Sequence, residues 1–244
     1  MKILFAGPSL YGDIVAGRIA AAPGIVCRGP AAQGDIAAAA LDGATTIGLV
    51  DGRYEDVAAP WHKEILFALS EGAAVYGGGS LGALRAAECA HFGMIGVGEI
   101  FARYMSGDLV DDSAVAQLHA PAEFDYLPLT EALVNVEATI RRLAAHGLID
   151  AALAAALAAC ARRLFFKRLT YEAVVAGAGA PEATLDLIAD HRVDQKRADA
   201  RALVARMQAQ DDRLGAKPAW ELARPAAWRG QLERLIAARQ PREA

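Results

Sequence analysis

The sequence predicts an α/β protein: an N-terminal parallel open sheet with flanking helices, followed by an all-helical C-terminal region. Three observations predict it. Short apolar runs alternate with helix-forming stretches over the first 125 residues, each run ends in a loop rich in glycine or aspartate, and strand signals stop near residue 126. The implied division is an α/β domain over 1–125 and a helical region over 126–244. A chain of 244 residues that is 55% hydrophobic and 22% charged has enough apolar side chain for a substantial core.

The strands come first. "KILFAG" (2–7), "GIVCRG" (24–29), "TTIGLVDG" (45–52) and "AAVYGG" (73–78) are short, apolar and bounded by turn residues. Between them the sequence predicts a helix over 13–22, an alanine-rich helix from about Asp35, and a helix in "PWHKEILFALSEG" (60–72). In the last of these, Pro60 suits the first turn and Gly72 the end, and Trp61, Ile65, Leu66 and Leu69 recur at helical spacing. Past 126, "PLTEALVNVEATIRRLAAHG" (128–147) reads as a helix with Thr130 as a candidate cap. Leu133, Val136, Ile140 and Leu143 form its apolar face, and Gly147 stops it. Further helices are expected over 149–168, 170–178, 181–210 and 228–240.

Charge and cysteine content exclude several classes. The net charge is -4, with acidic residues in excess up to residue 130 and basic ones after it. That balance is too weak for a nucleic-acid binder. The basic part is either a solvated helical surface or a docking face for an acidic protein. No apolar run reaches the ~20 residues that span a bilayer, and "MKILFAG" lacks the longer apolar core of a signal peptide. A cytoplasmic protein without a membrane partner is therefore expected. Cys27, Cys89 and Cys160 are far apart with no CxxC pair, which suggests neither zinc nor a disulfide framework and fits a reduced compartment. No cofactor and no metal are expected. A nucleotide-binding reading of "GPSLYGD" (7–13) ranks last, because the loop lacks the G-x-x-x-x-G-K-[ST] pattern and its lysine.

In a parallel sheet the loops "GPSLYGD", "GPAAQGD", "DGRYED" and "GGGSLG" all leave the same edge, where ligands of open α/β sheets bind. Gly78-Gly79-Ser80-Leu81-Gly82 matches G-x-S-x-G between a strand and a helix, the context of a nucleophile elbow. Ser80 is then either a nucleophile or an ordinary N-cap. For a nucleophile, the Leu81 N–H is one natural oxyanion donor and the Ser9 N–H a second, since Pro8 has none. Gly7 and Gly79 would let backbone approach a substrate closely.

A serine nucleophile needs a base. His62 opens the helix after the third strand, near the expected edge, and Asp51 at the end of that strand could orient it; a plain turn aspartate is the other reading of Asp51. His119 is the second candidate, and Ser80, Asp111 or Asp112, then His119 would follow the α/β-hydrolase order. His91 lies about three turns along the helix after Ser80, His146 in a last helical turn and His191 on a polar stretch. Arg85 either faces an anionic substrate or pairs with Glu88 one turn on; Lys63 is another candidate for charge neutralisation. Asp35 reads as a cap or a substrate contact. Cys27, at a strand end, is either a small buried hydrophobe or a sulfur carrier.

Several stretches together resemble the TfuA-like family: "GPSL" (7–10), "PAAQGD" (30–35), "IGLVDGRYEDVAAPWHKEIL" (47–66), "GGSLGALRAAE" (78–88), "GMIGVGEIFARYMSGDLVDD" (93–112), "VAQLH" (115–119), "LTEALVNVEATIRRL" (129–143), "RRLFFKRLTYE" (162–172) and "VDQKRADA" (193–200). Gly79 stands where alanine is more usual and Leu81 where methionine is, which leaves the glycine-serine-glycine centre intact. The resemblance implies a role in thioamidation of a precursor peptide beside a YcaO enzyme, which uses ATP to activate a backbone amide so that sulfide replaces its oxygen. It further implies assistance with sulfur delivery, by release of sulfide from the thiocarboxylated C-terminus of a small sulfur-carrier protein. Joined to the elbow, this gives Ser80 attacking a thiocarboxylate, with His62 or His119 as base and Arg85 or Lys63 as clamp. The alternative is a non-catalytic adaptor that docks carrier or peptide onto the YcaO enzyme.

Overall fold

The computed structural model describes residues 1–19, 22–53, 55 and 57–239. The helix expected over 13–22 is shorter and earlier, Tyr11–Val15, with a turn over 16–19 where Gly17 takes φ +68°; residues 20 and 21, the far end of the helix expected over 228–240 and part of the "DGRYED" loop lie outside the described residues. The strands are β1 (Lys2–Phe5), β2 (Ile25–Arg28), β3 (Thr46–Leu49), β4 (Ala74–Gly78) and β5 (Ile95–Val97). They form one parallel sheet in the order β2-β1-β3-β4-β5. Four of the five lie on the expected runs. The fifth was not expected, because its three residues sit among Gly93, Gly96 and Gly98 and offer no apolar run. It forms by pairing along the free edge of β4, with Tyr76 opposite Ile95 and Gly78 opposite Val97.

Five helices interleave with the strands: α1 (Tyr11–Val15), α2 (Asp35–Leu41), α3 (His62–Ser70), α4 (Leu81–Cys89) and α5 (Glu99–Ser106). Six follow: α6 (Leu133–Ala145), α7 (Ala151–Arg163), α8 (Tyr171–Gly177), α9 (Thr184–His191), α10 (Gln195–Ala209) and α11 (Ala226–Ala237). No described helix is long and apolar enough to cross a membrane.

Successive side chains of a strand point to opposite faces. Ile3, Phe5, Ile47, Leu49 and Val75 therefore pack on one face with Ile36 of α2, Ile65 of α3 and Ala86 of α4. Leu4, Ala6, Tyr76 and Val97 pack on the other with Leu203, Val204 and Met207 of α10. Covering both faces is why β1 is apolar without alternation. The helix that seals the second face comes from the far end of the chain. Leu203 and Met207 are fully buried, and each contributes about 1.5–3 kcal/mol by leaving water.

Two further local expectations change. The helix expected over 181–210 is two helices, α9 and α10, because Thr139 and Asn135 of α6 capture the joint between them. The Val193 N–H donates to Thr139 Oγ1 at 3.0 Å, and Asp194 caps α10 by accepting from the Arg197 N–H at 3.0 Å and from Asn135 Nδ2 at 3.2 Å. Thr130 does not cap α6, which starts after Ala132; its hydroxyl accepts from the Leu118 N–H at 2.8 Å instead.

Candidate functional site

The sheet order reverses at β1, with β2 on one side and β3 on the other, so the loops leaving β1 and β3 open a crevice at the carboxyl edge. The β4–α4 turn closes one side of it. Gly79 has φ +74°, a left-handed conformation that glycine adopts without penalty. α4 then starts hard against the sheet: the Gly82 N–H donates to the Val50 carbonyl at 3.0 Å, and a Cβ on Gly82 would lie 1.8 Å from the Leu49 carbonyl oxygen. Ser80 occupies the N-cap position, yet its side chain makes no capping bond. Its hydroxyl points away from the helix, donating to the Val115 carbonyl at 3.5 Å, a long contact. The Leu81 N–H, at the first position of α4, has no acceptor within the helix.

Asp51 follows β3 and is 2% exposed. Its carboxylate accepts the Gly7 N–H at 2.9 Å and the Ser9 N–H at 3.0 Å on Oδ2, and the Ser9 hydroxyl at 2.7 Å on Oδ1. The Ser9 amide is thus already engaged, and the β1 loop is folded around an internal anion. Across the crevice, Lys196 enters from the first turn of α10 and is 1% exposed. Its Nζ donates to the Val115 carbonyl at 2.8 Å and to Gln117 Oε1 at 2.7 Å. Burial pushes its pKa down, against the pull of the charges on Asp51, Asp194 and Glu131. Ser80, Asp51, Lys196, Gln117 and His119 all line one cavity of about 470 Å³. It is large enough for a peptide tail or a small ligand and is bounded by both acidic and basic side chains.

Residues 51–170 match the family model described as TfuA-like protein. Over that stretch the chain belongs to the TfuA-like family. A search among curated proteins finds no match. The matched TfuA-like segment begins at Asp51 and contains Ser80, Val115, Gln117 and His119, whereas the Gly7–Ser9 loop and Lys196 reach the same cavity from outside it. Family membership supports a general accessory role in thioamidation pathways and a YcaO-associated one.

The other expected residues of this TfuA-like chain fall in different places. His119 lines the Ser80 cavity, with Nδ1 2.8 Å from the Ala120 carbonyl and its ring edge-on to Tyr126. His62 pairs with Glu88 at 2.8 Å, and Arg85 holds the same carboxylate oxygen at 2.6 Å while its Nε donates to the Pro60 carbonyl. His62 and Arg85 line a second, more open cavity of about 700 Å³ against α11. Lys63 Nζ donates to the Ala223 carbonyl at 3.0 Å. Asp111 accepts the Ser113 N–H, and Asp35 the Ala32 N–H, each closing a local turn. The His146 and His191 rings meet edge-on at 5.8 Å. Cys27 is exposed; crowding around its sulfur and the nearby Asp51 charge still push its thiol pKa upward, so it stays protonated near neutrality. Among the described residues no cluster of three His, Cys, Asp or Glu side chains could hold a metal ion.

Lys196 was not singled out from the sequence. It lies in "VDQKRADA", where an aspartate cap followed by charged residues looks like an exposed helix start. The available hint was spacing: Lys196 stands on the same helical face as Ala200, Leu203 and Met207, which are buried.

Proposed function

We propose that this TfuA-like protein serves YcaO-dependent thioamidation of a precursor peptide by hydrolysing a thiocarboxylated sulfur-carrier protein, with Ser80 as the nucleophile. The supporting observation is the Ser80 hydroxyl itself: it sits at the start of α4, unspent on capping, on the wall of a cavity that can admit a carrier's C-terminal tail. Attack of the Ser80 oxygen on the thiocarboxylate carbon gives a tetrahedral oxyanion, for which the Leu81 N–H and the α4 dipole supply stabilisation. Collapse expels hydrosulfide to the partner enzyme and leaves an acyl-serine. Water then cleaves the ester and frees the carrier as its carboxylate. The cytoplasm, where thiols and sulfide stay reduced, suits this chemistry.

The test is sulfide release from a thiocarboxylated carrier by wild type and by Ser80→Ala. The variant is expected to lose at least about a hundredfold, because losing an activated nucleophile is rarely cheaper. Release at the wild-type rate overturns the reading.

The excess of basic residues past 130 favours a second reading, a non-catalytic adaptor whose helical part docks the YcaO enzyme or the carrier. It predicts that Ser80→Ala supports thioamidation as well as wild type does, and that salt weakens the complex.

A further inference from the structure

We propose that the second cavity, between α11 and the first turns of α3 and α4, binds a phosphate-bearing small molecule. It shares no lining residue with the Ser80 cavity and stands apart from the chemistry of that site.

The space is built into α11. That helix is anchored by Trp228, which is fully buried and packs with Phe67 of α3 and Ala37 of α2. Beside this anchor it turns Ala226, Ala227 and Gly230 toward the cavity, and these small residues leave about 700 Å³ unfilled. Glycine inside a helix is a poorer choice than alanine. Packing does not demand it here: a Cβ on Gly230 would meet only Arg234 Nη1, at 3.6 Å, an ordinary contact with the tip of a flexible side chain. The opening is kept where the fold could have closed it.

The wall is cationic. His62 comes from the first position of α3, Arg85 from α4 and Arg234 from α11, one helical turn past Gly230. Among the described residues no carboxylate lines the cavity. Two carboxylates stand behind the wall, and both are engaged. Glu88 is shared between His62 at 2.8 Å and Arg85 Nη1 at 2.6 Å. Glu64 is fully buried and accepts the Trp61 N–H at 3.0 Å and the Ala37 N–H at 3.5 Å. The Arg234 guanidinium makes no hydrogen bond or ion pair with any described residue, so its donors face the opening without an acceptor. Lys63, next to His62, donates only to a neutral carbonyl, that of Ala223. Glu88 alone therefore opposes the charges of Arg85, Arg234 and Lys63, and the surplus is positive.

Guanidinium groups recognise carboxylate and phosphate alike. The arrangement favours phosphate. A carboxylate offers two oxygens in one plane, which a single arginine fills. A phosphoryl group offers three oxygens directed apart, and here positive donors arrive from three separate helices. Trp61 adds an aromatic ring to the wall, and Gln33, whose Nε2 donates to Gln231 Oε1 at 3.0 Å, adds an amide. A ring and an amide are groups that hold a base, so the cavity has the chemistry for a nucleoside phosphate as well as for a free one. A bound phosphate would tie α11 to α4, the helix that starts at Ser80.

The experiment is calorimetric titration of the full chain at pH 7 with pyrophosphate, ADP and citrate. Wild type is expected to bind pyrophosphate one to one and citrate, an anion of similar charge built from carboxylates, at least about tenfold more weakly. Arg234 is exposed, so Arg234→Met keeps the fold; it is expected to weaken pyrophosphate at least about tenfold. Gly230→Leu fills the opening and is expected to abolish binding. ADP binding more tightly than pyrophosphate assigns the site to nucleoside phosphates, and ADP binding no more tightly assigns it to free phosphates. No binding of either phosphate, citrate bound as tightly as pyrophosphate, or a wild-type affinity in either variant overturns the proposal. Sulfide release plays no part in the measurement, so its failure leaves the Ser80 reading untouched.

Discussion

The Ser9 hydroxyl and the Ser9 amide both donate to the Asp51 carboxylate, at 2.7 and 3.0 Å, with the Gly7 amide a third donor at 2.9 Å. All three donors are buried, so Asp51→Ala strands them without water to replace the carboxylate. Each buried orphan costs about 1–3 kcal/mol. Their shared loop can relax, so the expected loss is about 3 kcal/mol in total. Asp51→Asn keeps acceptor oxygens for only part of the set and is expected to lose about half as much. Urea unfolding at neutral pH measures both; a loss below the fitting error in Asp51→Ala would show that the β1 loop does not depend on this anion.

The elbow is a packing device before it is a chemical one. A Cβ on Gly82 would collide with the Leu49 carbonyl, which belongs to the sheet and cannot retreat. Gly82→Ala is expected to destabilise by about 3 kcal/mol. Gly79→Ala must hold a left-handed backbone and is expected to cost about 1–2 kcal/mol. Ser80→Ala removes only a 3.5 Å contact and is expected to stay within about 0.5 kcal/mol of wild type. If Ser80→Ala unfolds as readily as Gly82→Ala does, the hydroxyl is structural.

How far the sequence could be read depended on how local each signal was. β1, β3 and β4 announce themselves as apolar runs, and the strand–GGGSLG–helix passage marks the elbow, because both patterns lie within a dozen residues. β5 could not be read: three residues among glycines become a strand only because β4 offers an edge. The break between α9 and α10 carries no glycine or proline; Thr139 and Asn135, more than 50 residues earlier, impose it. Lys196 was hidden for the same reason. Its partners Val115 and Gln117 stand about 80 positions away, although Lys196, Ala200, Leu203, Val204 and Met207 share one buried face of α10 at helical spacing. Asp51 was legible as a strand-end carboxylate near the site, but its partners in the β1 loop depend on strand order rather than on spacing.

The Cys27 thiol bears on whether sulfur is carried by this chain. Cys27 is exposed, so the loss of hydration that raises its pKa is only partial, and the nearby Asp51 charge adds to it in the same direction. Alkylation by iodoacetamide at pH 8 is expected to run at least about threefold more slowly at Cys27 than at a free cysteine of ordinary pKa. Peptide mapping of the alkylated protein provides the measurement. Labelling as fast as free cysteine would restore Cys27 as a nucleophilic sulfur.

α10 is also tied to the start of the chain, through Asp13. Arg201 Nε donates to Asp13 Oδ2 and Nη2 to Oδ1, both at 2.8 Å, and Arg18 Nε reaches Oδ1 at 2.6 Å. The Arg201 hydrogen bond is the main influence holding the Asp13 carboxyl below its usual range, with Arg18 adding to it and burial opposing. A carboxyl depressed in the folded state contributes stability that is full above its unfolded pKa of about 3.9 and is lost as pH falls through the lower folded value. Both arginines are more than half exposed, so solvent screens the pair. Asp13→Asn is therefore expected to cost about 1–2 kcal/mol at pH 7. The gap should hold at pH 5 and shrink below about pH 4 as the wild-type carboxyl takes up its proton. Urea unfolding of both proteins at pH 7, 5 and 3 follows this directly. A gap as wide at pH 3 as at pH 7 would show that Asp13 acts through shape and neutral hydrogen bonding rather than through its charge.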